Sequence, residues 1–212
     1  DDGRHGRVRF VWMEELQGWN LNDIIKTSPQ IPLDVAGFWI RQLVERMIWL
    51  EGERSADFQP FLGHLTPASL IFQKDGRLRF LGLSQIARGL SASAYTALPE
   101  EGISVLAPEQ RESKTASAAT DIYGLGLILY ILLAGKNPFA LQRGLALHGT
   151  WGIPSMDPVH AQWPAVVPLL EAALQPDPSL RPEASAFRPV LSSLPIGSGE
   201  KSVQWTQELL GT

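Results

Sequence analysis

The sequence predicts a mainly α-helical domain with one N-terminal strand and a small β-hairpin. Three observations carry this expectation. Ala36, Ile40, Leu43, Val44, Met47 and Ile48 recur at helical spacing, which lines one face of a helix with apolar side chains. The stretch from Thr120 through Leu133 is apolar on nearly all sides, and such a helix belongs in the middle of a core. Asp75-Gly76 lies between two short apolar runs, and Asp-Gly is the strongest local signal for a hairpin turn.

Each element follows in order. Val8–Glu14 (VRFVWME) is apolar and β-prone, so it is expected as a strand. Gly18–Asn20 reads as a turn and Leu21–Lys26 as a short helix. Pro32 suits a first helical position, and the long amphipathic helix runs from there to about Leu50. Glu51–Gly63 reads as irregular. Ser69–Gln73 and Arg77–Leu81 are the two hairpin strands. Ser84–Ser117 is rich in Ser, Ala, Gly and Pro without periodicity, so a long loop is expected. Thr120 can cap the buried helix, which stops at Gly135. Pro164–Leu174 and Glu183–Leu194 are expected helices, 196–200 a linker, and Lys201–Leu210 a last amphipathic helix.

The chain has 212 residues, 44% hydrophobic and 19% charged. This is the composition of an ordinary globular domain, with length enough for one sizeable core. The net charge of −4 comes with no run of Lys or Arg, which argues against nucleic acid as a partner. No Cys is present, so disulfides, thiol catalysis and thiolate metal sites are excluded. His5, His148 and His160 have no spacing that suggests metal ligation, and no metal site or cofactor is expected. The longest apolar run, Leu125–Ala134, is too short to span a bilayer. A cytoplasmic domain without membrane insertion is the expectation.

Short motifs in this order resemble the large, C-terminal lobe of protein kinases, the bacterial Ser/Thr type above all, over residues 8–195. Phe10–Glu14 looks like the last small-lobe strand entering the hinge, with Met13 as gatekeeper. Ala107-Pro108-Glu109 matches the Ala-Pro-Glu element that closes the activation segment. Thr120-Asp121-Ile122-Tyr123-Gly124-Leu125-Gly126 matches the start of the buried helix, and Gly135-Lys136-Asn137-Pro138-Phe139 the stretch after it. Asp177-Pro178-Ser179-Leu180-Arg181-Pro182 matches the Asp-Pro-x-x-Arg-Pro element, whose Arg pairs with the Ala-Pro-Glu carboxylate in the family. The resemblance implies structural roles for Glu109, Arg181 and Asp121, the last accepting backbone N–H bonds at a helix start. It divides the chain into a strand and hinge remnant at 1–14, the lobe at 15–195 and a tail at 196–212. The residues before the strand hold no Gly-rich loop and no strand Lys, so the small lobe is expected to be largely absent.

The same alignment shows replaced chemistry. Leu62-Gly63-His64-Leu65-Thr66-Pro67-Ala68-Ser69 stands where the family has its catalytic loop. His64 then replaces the catalytic Asp, Gly63 the Arg, Thr66 the Lys and Ser69 the Asn, while Gly82 replaces the metal-binding Asp. Phosphoryl transfer in the family depends on those carboxylates and on the magnesium they help hold. A catalytically inactive pseudokinase lobe is therefore expected, not an enzyme, acting as a protein-binding scaffold or regulatory module. The alternatives are an atypical nucleotide-dependent transferase, for which Asp57, Asp75, Glu14 and Glu15 are the nearby acids, and a purely structural domain of a larger protein. His64 is a proton acceptor of about neutral pKa in principle, but reads more simply as a polar loop residue.

Seven Trp residues occur. Most are expected in the core, although Trp is also enriched in binding hot spots. Phe139–Trp163 matches a region that kinases use for docking, so Leu141, Leu145, Leu147 and Trp151 are the candidate contacts for a protein partner or for another domain of a parent chain. An uncovered edge on the Val8–Glu14 strand would invite pairing with a second copy.

Overall fold

The computed structural model describes residues 15–55, 57, 60–63, 65–80, 105–112, 115–140 and 152–210. The expected strand at Val8–Glu14, with Met13 and Trp12, lies outside them. So do His5, His64, Gly82, Leu141, Leu145, Leu147, His148 and Trp151.

The described chain is mainly helical, with one small antiparallel sheet. Strand β1 (Gly18–Asn20) leads straight into α1 (Leu21–Thr27). Asn20 caps that helix, its Oδ1 accepting the Asp23 N–H at 3.0 Å, as a polar side chain before a helix should. Helix α2 spans Leu33–Gly52 and buries Val35, Ala36, Trp39, Ile40, Leu43, Val44 and Met47. Burying a large aliphatic or aromatic side chain of this kind contributes about 1.5–3 kcal/mol. Strands β2 (Leu70–Gln73) and β3 (Leu78–Phe80) form the hairpin around Asp75-Gly76.

The turn expected at Gly18–Asn20 is instead a strand. It pairs antiparallel with β2, Gly18 opposite Gln73 and Trp19 opposite Phe72, which gives the order β1-β2-β3. Its ladder partners lie some fifty residues away, beyond the reach of a local reading.

A helical turn, α3 (Pro108–Arg111), breaks the expected long loop. Helix α4 (Ala118–Ala134) is buried from Thr120 through Leu133 and ends at Gly135. Its N-cap is Ser117, not Thr120. Thr120 lies one turn inside, where its Oγ1 accepts the Ser117 N–H at 2.9 Å. The chain continues through α5 (Asp157–Gln162), a 3₁₀ turn at Pro164–Val166 and α6 (Val167–Ala173). The expected helix at Glu183–Leu194 is reduced to a 3₁₀ turn at Ala184–Phe187 and one α-turn, α7 (Arg188–Leu191), with Pro189 in its first turn. Helix α8 (Gly199–Leu210) closes the described chain.

Helix α4 sits at the centre, with α2, α5 and α6 packed around it. Helix α8 lies against α1 and α2, so the expected tail is part of the packed body. Trp205 meets Trp39 edge-on at 5.9 Å, and Trp39 lies 4.0 Å from Phe72 of the sheet. Lys201 pairs with Asp34, and the Gly197 N–H donates to the Asp34 carbonyl at 2.9 Å. Trp39 and Trp163 are buried, whereas Trp49 is exposed beneath the Arg46 guanidinium at 4.4 Å. Among the described residues no helix is long and apolar enough to cross a membrane.

Candidate functional site

Residues 60–63 and 65–66, followed by a 3₁₀ turn at Pro67–Ser69, lie against the N-terminal end of α4. The conformation of this loop is set by side chains from two other elements. Gly63 adopts φ +72°, a backbone region that costs a residue with a Cβ about 1 kcal/mol or more. A Cβ there would also stand 3.1 Å from the Phe61 ring. Gly124 of α4 lets helix and loop approach closely, since a Cβ on it would fall 2.6 Å from the Leu65 carbonyl oxygen.

Asp121, 1% exposed, holds the loop. Its carboxylate accepts the N–H groups of Leu62 and Gly63, the latter at 2.7 Å. Asp121, at the start of α4, thus accepts backbone N–H bonds, and the donors belong to the loop and not to its own helix. Burial pushes the Asp121 carboxyl up to about 7, against the two N–H donors that favour its charged form. Gln110 of α3, 4% exposed, completes the support. Its Oε1 accepts the Ala107 N–H at 3.0 Å, and its Nε2 donates to the Gly63 carbonyl at 2.9 Å.

Glu109 and Arg181 lie side by side in a bidentate pair, with Nη1 and Nη2 donating to the two carboxylate oxygens at 2.7 and 2.8 Å. The remaining Arg181 donors reach the carbonyls of Gln175, Ala119 and Pro176 at 2.9, 2.9 and 3.1 Å. All five N–H donors of the guanidinium are thus satisfied, in the planar fork that Lys cannot reproduce. Thr120 Oγ1 also donates to Glu109 at 2.8 Å. Burial would raise the Glu109 carboxyl, but the Arg181 and Thr120 hydrogen bonds outweigh it and hold that carboxyl below its ordinary value.

Ser69, at the position of the family's metal-binding Asn, closes its own turn. Its Oγ donates to the Thr66 carbonyl at 2.8 Å and accepts the Thr66 N–H at 2.9 Å. Asp75 serves the hairpin, accepting the Arg77 N–H at 2.9 Å, while Asp57 and Glu15 are exposed. The hydroxyl of Ser69, engaged within its own turn, does not fit a magnesium ion held there as the resemblance would have it; Gly82, the other position the resemblance assigns to the metal, lies outside the described residues. Among the described residues no group of three or more His, Cys, Asp or Glu gathers as metal ligands.

The structure therefore brings Glu109, Arg181 and Asp121 to one buried cluster beside the loop that carries Ser69. The sequence reading missed Gln110, Thr120 as a partner of Glu109, and the two loop amides as partners of Asp121. The one signal was a polar residue directly after Ala-Pro-Glu, and nothing local marks it as buried.

No family model matches the chain. It is similar to a probable serine/threonine-protein kinase PknB of Bifidobacterium longum, 25% identical over 155 residues, 69% of this chain and 21% of that protein. It is similar to the serine/threonine-protein kinase CHK1 of Saccharomyces cerevisiae, 26% identical over 199 residues, 84% of this chain and 36% of that protein. A further relative is the serine/threonine-protein kinase PknA of Corynebacterium glutamicum, 24% identical over 205 residues, 89% of this chain and 40% of that protein. The chain thus spans between a fifth and two fifths of the length of these relatives.

These relatives are named as kinases, and they overturn the expectation that the chain is not an enzyme. That expectation rested on three replaced side chains, at 64, 69 and 82. Across most of its length, the chain has a protein-kinase-like fold.

Proposed function

We propose that this chain is the large lobe of a protein-kinase-like phosphotransferase that passes a phosphoryl group from a nucleotide to a serine or threonine hydroxyl of a protein. The observation that supports the reading is the loop at 60–66, held by Asp121 from α4 and Gln110 from α3. The likeness to proteins named as serine/threonine kinases supports the same reading. The division into 1–14, 15–195 and 196–212 belongs to the proposal, with α8 counted among the elements that brace the lobe.

A second role, as a protein-docking scaffold or regulatory module, rests on the region after α4. Phe139 and Met156 are buried on either side of the segment that carries Leu141, Leu145, Leu147 and Trp151. The Tyr130 hydroxyl donates to the Ser155 carbonyl at 3.0 Å. The apolar residues of that stretch, Leu141, Leu145, Leu147 and Trp151, lie outside the described residues and enter this role from the sequence alone. Pairing of two copies through Val8–Glu14 remains part of this reading.

The first test is thermal stability of the longest natural polypeptide with ATP, with and without Mg²⁺, and with EDTA. A nucleotide at 100 times its dissociation constant stabilises the fold by about 2.7 kcal/mol, a rise of roughly 5–10 °C. No shift under any condition would count against the transferase reading. Loss of partner capture on changing Leu145 and Trp151 to Ala, with the nucleotide response intact, would separate the docking role.

A further inference from the structure

Gly63 has both of its backbone polar groups taken by buried side chains. Its N–H donates to Asp121 at 2.7 Å and its carbonyl accepts from Gln110 at 2.9 Å. Asp121 is bonded covalently to Thr120, whose Oγ1 donates to Glu109 at 2.8 Å, and Glu109 is bonded covalently to Gln110. The links close a ring: Gly63, Asp121, Thr120, Glu109, Gln110 and back to Gly63. Glu109, Gln110, Thr120 and Asp121 are all buried.

Within this ring the Gln110 amide has a distinct place. Its oxygen is committed to the Ala107 N–H at 3.0 Å, which fixes the amide so that its NH₂ faces Gly63. One side chain therefore ties the 105–112 segment to the loop, across 47 residues of sequence. The other cross-links of the ring join α3 to α4 and α4 to the loop. Gln110 is the direct one between 105–112 and the loop, among the described residues.

We propose that Gln110 is a positioning residue that couples the 105–112 segment to the 60–66 loop, and that it sets the loop for the transfer reaction. The proposal rests on the phosphotransferase reading for its consequence, but its structural half stands without it. Gln110 touches no reacting atom and acts through Gly63.

Two substitutions isolate the link. Gln110→Glu keeps an oxygen for the Ala107 N–H and, where its carboxyl is ionised, removes the donor to Gly63, so it is read at the alkaline end of the range in which the protein stays folded. Gln110→Leu removes both. Hydrogen exchange on the longest natural polypeptide reads the outcome amide by amide. In Gln110→Glu the Leu62 and Gly63 amides exchange at least ten-fold faster, while Ala107 and the interior amides of α2 and α4 keep their wild-type rates. In Gln110→Leu, Ala107 speeds up as well. Unchanged exchange at Leu62 and Gly63 in both variants overturns the coupling, and so does a uniform rise across α2 and α4, which would make Gln110 merely structural.

If neither variant folds, the wild type decides. The amides of Ala107, Leu62 and Gly63 should open together, with one denaturant dependence. Independent opening of Ala107 overturns the proposal. Phosphoryl transfer is the second readout: Gln110→Glu lowers kcat at least ten-fold and leaves KM for nucleotide within two-fold. An unchanged kcat removes the functional half of the proposal. Absence of transfer in the wild type instead sinks the phosphotransferase reading, while the exchange data still decide the coupling.

Discussion

Arg181→Met removes a guanidinium whose five N–H groups all have partners, and leaves Glu109 buried without its bidentate partner, with the Thr120 hydroxyl and the field of the Arg111 charge remaining. Glu109 is only 6% exposed, so water cannot take over. Removing one partner of a buried ion pair costs about 3–5 kcal/mol. For a chain of this size each kcal/mol lowers the melting temperature by roughly 2–4 °C, which gives a fall of roughly 6–20 °C. The assay is urea and thermal unfolding followed by Trp fluorescence and circular dichroism.

The pH dependence of that loss carries its own sign. With Arg181 present, the folded Glu109 carboxyl titrates below its ordinary 4.5. Its contribution to stability is therefore complete above about pH 4.5 and is lost as pH falls through the lower folded value. In Arg181→Met burial is opposed only by weaker partners, and the carboxyl rises above its ordinary value. Stability then falls with rising pH instead, the reverse slope. The double variant Glu109→Leu/Arg181→Met should be more stable than Arg181→Met alone, because no charge is left stranded. A drop of less than about 1 kcal/mol in Arg181→Met, or strict additivity in the double variant, would refute the reasoning.

Three further outcomes follow from the same contacts. Asp121→Asn should remove a pH slope. The wild-type carboxyl sits at about 7 in the fold against an ordinary 3.8, so the native state binds more protons in between. Wild type should thus lose about 2–3 kcal/mol relative to the Asn variant between pH 5 and 7.5, as measured by urea unfolding at each pH. Gly124→Ala drives a methyl against the Leu65 carbonyl; overpacking against backbone costs about 1–3 kcal/mol, and fluorescence unfolding should show it. Ser202→Ala should stabilise by about 1 kcal/mol, since the Ser202 side chain is 1% exposed and its Oγ meets no hydrogen-bond partner among the described residues; calorimetry reads the rise.

What the sequence made legible was periodic or locally encoded. The α2 stripe from Ala36 to Ile48, the apolar α4 and the Asp75-Gly76 turn each declare themselves within a few residues. What escaped was set by distant partners. Gly18–Asn20 is extended because the β2 edge lies beside it, not because Gly, Trp and Asn favour a strand. Glu183–Leu194 has a helical pattern, but Pro189 lacks the N–H that would bond back into the preceding turn, so a 3₁₀ turn is followed by one α-turn with Pro189 in its first turn. In the site, Glu109 and Arg181 could be paired from their motifs alone. The Asp121 and Gln110 bonds could not, since both end on backbone groups of the loop and backbone leaves no signature in a sequence. The replaced residues at 64, 69 and 82 were legible too, and the expectation drawn from them that the chain is not an enzyme is overturned by its likeness to proteins named as kinases.

The most direct measurement is transfer of label from γ-phosphate-labelled ATP to a mixed protein acceptor by the longest natural polypeptide, alongside its Asp121→Asn and Gln110→Glu variants. A kinase-like lobe whose loop is held by these side chains predicts label on serine or threonine for the wild type, reduced at least ten-fold in both variants that remain folded. No label above background from folded wild-type protein, with any divalent ion supplied, would contradict it.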